Sequence, residues 1–257
     1  NHGAMLNLTL KKSDEDWLRA NYPELQAKKG ADGIPVIGGV LRFDIVFNDE
    51  SKSYIIKPET EHLAQGRRIQ DEYKIEILFK SSEYSNLPQV YERGGTIEAL
   101  VKEKNLKRED FHINPTGSAC LCLNTKEAIY LPNGFSLTDF FNNLVIPFFY
   151  AQSYFRDFGS WPWGEYGHGM AGILESYIEY GATRESVEMI LNAIEKFCQK
   201  NHLNFNFYKE QLRQKKIKGR NRCPMCKSGI PWEKCHNKSL VGFRKLKEHT
   251  DFLSIRI

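Results

Sequence analysis

Apolar and polar residues alternate strictly through Leu41-Arg42-Phe43-Asp44-Ile45, which puts one apolar and one polar face on a half-buried strand. Lys74-Ile75-Glu76-Ile77-Leu78-Phe79 alternates in the same way, and the apolar Tyr54-Ile55-Ile56 lies between the two. Together they predict an antiparallel meander. Ahead of them, Ser13 with Asp16 three residues on, then Trp17, Leu18 and a stop at Tyr22-Pro23, predicts a short capped helix. Further along, Ser136 with Asp139 caps a strongly apolar segment, Leu137 to Phe155, which reads as a buried core helix kinked by Pro147. Val187, Ile190, Leu191, Ile194, Phe197 and Cys198 recur at a 3.6-residue period behind Thr183, the pattern of an amphipathic helix with Cys198 on its buried face. A helix, then strands, then helices is an α+β order.

No window approaches the roughly 18 consecutive apolar residues of a membrane helix, because the most apolar stretch, Phe140 to Phe149, contains two Asn and a Pro. No membrane partner is expected. With 41% apolar and 26% charged residues, the chain of 257 residues has the composition of an ordinary globular protein. Asn1-His2-Gly3-Ala4 ahead of Met5 reads as a cloning scar, and no charged-then-apolar export signal follows, so a cytoplasmic location is expected.

The net charge of +4 is too small to dictate a partner, but its distribution is uneven. Glu195 to Ile257 carries 16 Lys/Arg against 5 Asp/Glu, whereas residues 1–194 carry 20 against 27. Lys209 to Arg222 alone holds seven basic residues and one Glu, a run that suits a solvated linker or an anionic partner. It lacks the interleaved aromatic residues of a nucleic-acid surface, so a nucleic-acid partner is not expected.

The six cysteines fall into clusters that make a poor disulfide framework, so reduced thiols are the working assumption. Cys223-Pro224-Met225-Cys226 is a two-residue knuckle, and Cys235-His236 follows at a spacing that completes four tetrahedral ligands. The metal expected for Cys223, Cys226, Cys235 and His236 is zinc in a closed, structural site. With Lys227-Ser228-Gly229 and Lys234 the segment resembles the SEC-C zinc motif, except that Cys-x-x-Cys replaces the usual Cys-x-Cys.

The other informative stretch runs from Phe111 to Leu121, where His112-Ile113-Asn114 lies shortly before Gly117-Ser118-Ala119-Cys120-Leu121. Thiolate chemistry is the obvious use of such a cysteine, with a nearby amide available to an oxyanion. A structural cysteine or a redox pair with Cys122 are the alternatives. Reactive pairs, however, carry two intervening residues and a helix N-terminus to lower the thiol pKa. Gly167-His168-Gly169-Met170-Ala171-Gly172 matches a dinucleotide fingerprint in letters, but no strand precedes it, so it reads as a turn opening a helix.

The stretch from His112 to Leu121 resembles the signature of ubiquitin-conjugating enzymes, in which His-Pro-Asn precedes Gly-x-x-Cys-Leu. The resemblance implies that family's α+β fold, an N-terminal helix, a four-stranded antiparallel meander and C-terminal helices, with a small zinc motif appended. It implies that Cys120 holds an acyl group as a thioester, that Asn114 supports the oxyanion, and that His112 braces the loop. Ile113 stands where the family has proline, and Cys122 where many members have Asp. Asn142 to Gln152, with Trp161-Pro162-Trp163-Gly164-Glu165, is similar to the bacterial members of anti-phage (CBASS) operons that encode a cGAS-like nucleotidyltransferase. That similarity implies transfer of the nucleotidyltransferase C-terminus to a lysine. A dedicated ubiquitin-like protein as client, or a catalytically inert adaptor of the same fold, are the competing implications. The expected organisation is a catalytic core over 5–160, a helical extension over 161–208 and a basic, zinc-binding segment over 209–257.

Overall fold

The structure is a computed structural model and describes residues 8–257 apart from 31, 83, 84, 165, 166, 168 and 227. The N-terminal tetrapeptide, Met5, Glu165, His168 and Lys227, on which parts of the expectations rest, lie outside the described residues. The chain forms two compact units, residues 1–164 and 165–257.

The first unit opens with α1 (Lys12–Asn21), whose N-cap, Lys11, lies two residues before the predicted cap Ser13. Its first turn is closed instead by Asp14, whose carboxylate accepts the Lys11 N–H at 2.8 Å. Five strands follow: β1 (Leu25–Lys29), β2 (Pro35–Asn48), β3 (Ser53–Ile56), β4 (Arg67–Leu78) and β5 (Gln89–Glu92). All pairings among them are antiparallel in the order β1-β2-β4-β5, with β3 on the far end of β2; because β4 returns to pair with β2 rather than β3, the sheet is antiparallel but is not the simple meander the sequence predicts.

The alternation read from the sequence extends well beyond the two short runs. In β2 and β4, Leu41, Phe43, Ile45, Phe47, Tyr73, Ile75 and Ile77 turn inward, while Arg42, Arg68 and Glu72 stay outside. Each inward side chain contributes roughly 1.5–3 kcal/mol through burial. Behind the sheet lie α2 (Thr96–Lys104), the single turn α3 (Glu127–Tyr130), α4 (Leu137–Phe140) and α5 (Ile146–Phe158), and Phe140, Phe149 and Tyr150 complete the core.

Ser136 caps α4 as its sequence predicts, its hydroxyl accepting the Asp139 N–H at 3.4 Å. The segment is one continuous coil to Phe158, but Pro147 is accommodated by π-winding over Phe141–Val145 rather than by a simple kink. Pro147 has no N–H for the carbonyl of Asn142 five residues back. The Tyr54 hydroxyl donates to that carbonyl instead, at 2.8 Å.

The second unit contains α6 (Met170–Ser176), α7 (Arg184–Lys200), α8 (Phe205–Arg213), the turn α9 (Trp232–Cys235) and α10 (Asn237–Phe252). Thr183 caps α7 by accepting the Ser186 N–H at 3.1 Å, and Val187, Ile190, Ile194 and Cys198 form its buried face, as the period predicts. The turn from Gly167 does open a helix, α6. Gly242 lets α10 cross α6 closely, since a Cβ there would lie 1.8 Å from the Leu174 carbonyl oxygen. Met170, Val187, Tyr208, Cys223, Trp232 and Leu240 belong to one hydrophobic core, so the helical stretch and the cysteine knuckle fold as a single unit.

Candidate functional site

Two clusters of chemistry-bearing residues emerge, one in each unit. The first grows out of a short helical turn, Arg108–Phe111, whose last residue is fully buried against Phe155 and Trp161. Gln152 of α5, itself fully buried, donates its amide to the Phe111 carbonyl at 3.1 Å. The core helix therefore fixes the chain immediately before His112. His112 takes a left-handed conformation with φ of 55°, and its ring packs edge-on against Trp161 at 5.2 Å.

From there the chain folds back on itself. Ile113 and Ala119 form an antiparallel bridge, the Cys120 N–H donates to the His112 carbonyl at 2.7 Å, and the Asn114 N–H donates to the Ser118 carbonyl at 2.8 Å. The returning arm is stitched to the sheet, because the Ala119 N–H donates to the Val90 carbonyl of β5 at 2.7 Å. Asn114 and Ser118 to Cys122 line one cleft. The Asn114 amide donates to the Ser118 hydroxyl at 3.1 Å and to the Ala119 carbonyl at 3.4 Å. Ile113, where the family signature has proline, donates its N–H to the Arg108 carbonyl at 3.1 Å, a bond proline cannot make.

The opposite wall of the cleft is Ser82, Ser85, Leu87, Pro88 and Gln89. Glu127 of α3 holds that wall: its carboxylate accepts from the Ser85 hydroxyl at 2.7 Å, the Asn86 N–H at 3.0 Å and the Asn86 amide at 2.9 Å. The cavity at Cys120 measures only about 20 Å³, room for one water molecule and too small for a metabolite. Burial pushes the Cys120 thiol above its ordinary value of 9.0. Cys122 is raised further, by burial first and then by the Glu127 and Cys120 charges. Neither is a preformed thiolate, which argues against a redox pair at Cys120 and Cys122.

Glu127, Ser85 and Gln152 were not marked by any motif. Their roles depend on partners about 40 residues away in the chain, and only Glu127 carries a charge that burial makes conspicuous.

The second cluster lies where the chain pairs Arg222 with Pro231 and then turns through α9. This brings the ligand atoms of Cys223, Cys226, Cys235 and His236 within 4.8 Å of one another. His236 Nδ1 is 3.4 Å from Cys223 Sγ and 3.1 Å from Cys235 Sγ, and the sulfurs of Cys226 and Cys235 are 3.3 Å apart. Donors bound at 2.0–2.3 Å around one tetrahedral ion are separated by roughly 3.3–3.8 Å, so the group can hold a metal ion. The Ser228 hydroxyl lies 3.1 Å from Cys226 Sγ and draws that thiol down to about 7, the direction a ligand requires. Among the described residues no helix is long and apolar enough to cross a membrane.

No protein-family model, curated protein or solved structure matches the chain.

Proposed function

We propose that the chain is an acyl transferase with a ubiquitin-conjugating-enzyme-like core, in which the Cys120 thiolate attacks the C-terminal acyl group of a client protein already activated by a separate enzyme, displaces the activating group and holds the acyl group as a thioester. A lysine amine then attacks the thioester carbonyl, the sulfur leaves, and an isopeptide bond forms. The observation that carries this reading is the fold-back of 112–114 onto 118–120. Through it Asn114 and Cys120 both line a single cleft.

The order of elements supports the same reading, because a helix, an antiparallel sheet, a cysteine-bearing loop and a core helix follow one another over residues 12–158. The small cavity favours a polypeptide terminus lying across the surface over a captured metabolite. Burial of the thiol also shields a thioester from water. Asn114 would swing its amide from Ser118 and Ala119 toward the oxygen that becomes negative as the amine attacks. His112, packed against Trp161, holds the loop.

The client in this proposal is a cGAS-like nucleotidyltransferase of a bacterial anti-phage operon, whose conjugation primes it for defence. The metal of the second cluster is zinc: three thiolates and an imidazole, all from the protein, make a closed site whose contribution is to folding.

The client can be identified with Cys120→Lys, expressed together with the neighbouring genes. An amine at this position captures the acyl group as a stable amide, and mass spectrometry of the branched peptide reads the client's C-terminal sequence. A nucleotidyltransferase C-terminus is expected. A ubiquitin-like sequence would replace the client, and a variant carrying no branch under conditions where defence operates would remove the transferase reading.

A further inference from the structure

The segment after α8 has a feature that neither the thioester site nor the metal cluster uses. Between Lys216 and Arg220 buried and exposed residues alternate: Ile217 and Gly219 are buried, while Lys216, Lys218 and Arg220 are exposed. Two contacts fix the strap in place. The Arg244 guanidinium of α10 donates to the Ile217 carbonyl at 3.2 Å and 3.4 Å, and the Glu233 N–H donates to the Gly219 carbonyl at 3.0 Å. Gly219 is required for that approach, since a Cβ there would come within 2.5 Å of the Glu233 carboxylate and 2.9 Å of Leu240.

Beside the strap is a cavity of about 550 Å³, lined by Lys216, Lys218, Arg220, Arg244 and, as its one acid, Glu233. Among the described residues the side chains of Lys216, Lys218 and Arg220 have neither an ion-pair nor a hydrogen-bond partner. Like charges gathered around a concavity repel one another, and the strap's backbone contacts hold the positions that carry them side by side. An anion entering the cavity relieves that repulsion. The volume falls in the range of small-ligand sites rather than surface dimples. Four cations against one carboxylate call for a ligand with several negative charges, and a guanidinium fork matches a phosphate better than a point charge does.

We propose that this cavity binds a chain of phosphate groups, as carried by a nucleoside triphosphate or an inorganic polyphosphate. Titration calorimetry on the full, metal-loaded chain tests it, with tripolyphosphate and ATP as probes at low ionic strength. Binding of at least one probe below about 1 mM, weakening as salt is added, is expected. The tighter probe identifies the source: ATP if the nucleoside contributes, tripolyphosphate if the phosphates alone suffice. The double substitution Lys218→Ala with Arg220→Ala should weaken binding at least about tenfold, while Lys196→Ala on α7 leaves it unchanged. Metal content and melting temperature verify that each variant is folded. Absence of binding by both probes, or equal affinity in the double variant and the Lys196→Ala control, would overturn the proposal.

Discussion

The backbone N–H of Cys120 donates to the carbonyl of His112 at 2.7 Å, so the two residues are joined through the main chain rather than through their side chains. The bond belongs to a two-armed loop anchored at one end by Gln152 under Phe111 and at the other by Val90 under Ala119. Position in this site is thus set by backbone pairing, and the side chains facing the cleft remain available for chemistry.

Asn114→Ala should separate folding from catalysis. It removes the bonds to Ser118 and Ala119, which together contribute about 1 kcal/mol, a fall of about 2–4 °C in melting temperature. Transfer from Cys120 to lysine should slow far more than loading does, because the oxyanion forms without its donor. Equal slowing of both steps in single-turnover assays would make Asn114 a brace and nothing more.

Glu127→Ala should loosen the wall of the cleft. Three hydrogen bonds to a nearly buried carboxylate are lost, at a cost of about 2–3 kcal/mol, and Ser85 and Asn86 are left without their acceptor. Faster alkylation of Cys120 by a bulky maleimide is the expected readout. An unchanged rate would show that the wall does not limit access.

Reactivity of Cys120 should keep rising with pH. Burial raises its pKa above 9.0, so only a small fraction is thiolate at neutral pH, and the iodoacetamide rate should climb about tenfold per unit from pH 7 to 9. The same shift has a sign for stability. A thiol whose folded pKa lies above its unfolded value contributes fully below the unfolded pKa, and that contribution is lost as pH rises through the folded one. A rate plateau below pH 8 would contradict the buried, protonated thiol.

Metal analysis of the purified chain should return about one zinc per chain. Cys226→Ser should lower its affinity and, because binding is coupled to folding, speed hydrogen exchange across the core that contains Cys223, Trp232 and Leu240. Exchange unaffected by the substitution would mean that the unit folds without its ion.

How much of this could be read in advance depended on how local each signal is. The period of α7 and the Ser136 and Thr183 caps are short-range patterns, and they appear in the structure at the same residues. The quartet ending in His236 was legible because a Cys-x-x-Cys knuckle followed closely by a Cys-His pair is a short-range spacing, although the Arg222–Pro231 pairing and α9 are what bring the two halves together. Strand β1 was not, since Leu25 is its one buried residue and Lys28 and Lys29 disguise it as a loop. Strand β5 is four residues long and follows Pro88, too short for alternation to stand out. The first helix ends at Tyr22 as the sequence predicts but starts two residues early, because both Asp14 and Asp16 can close a first turn and the geometry at Lys11 decides between them. Around Cys120 the order of His112, Asn114 and Cys120 could be read, but the cleft that Asn114 and Cys120 share depends on a pairing that no periodicity announces.

The most direct measurement is the fate of Cys120 in cells that also express the neighbouring genes, followed by gel electrophoresis with and without thiol reductant. A client adduct that reductant releases, absent from Cys120→Ala and largely retained in Cys122→Ala, is the result predicted by a thioester on Cys120. An adduct that survives in Cys120→Ala but disappears in Cys122→Ala would move the nucleophile. No adduct on either cysteine, in cells where the operon functions, would contradict acyl transfer and leave an adaptor in its place.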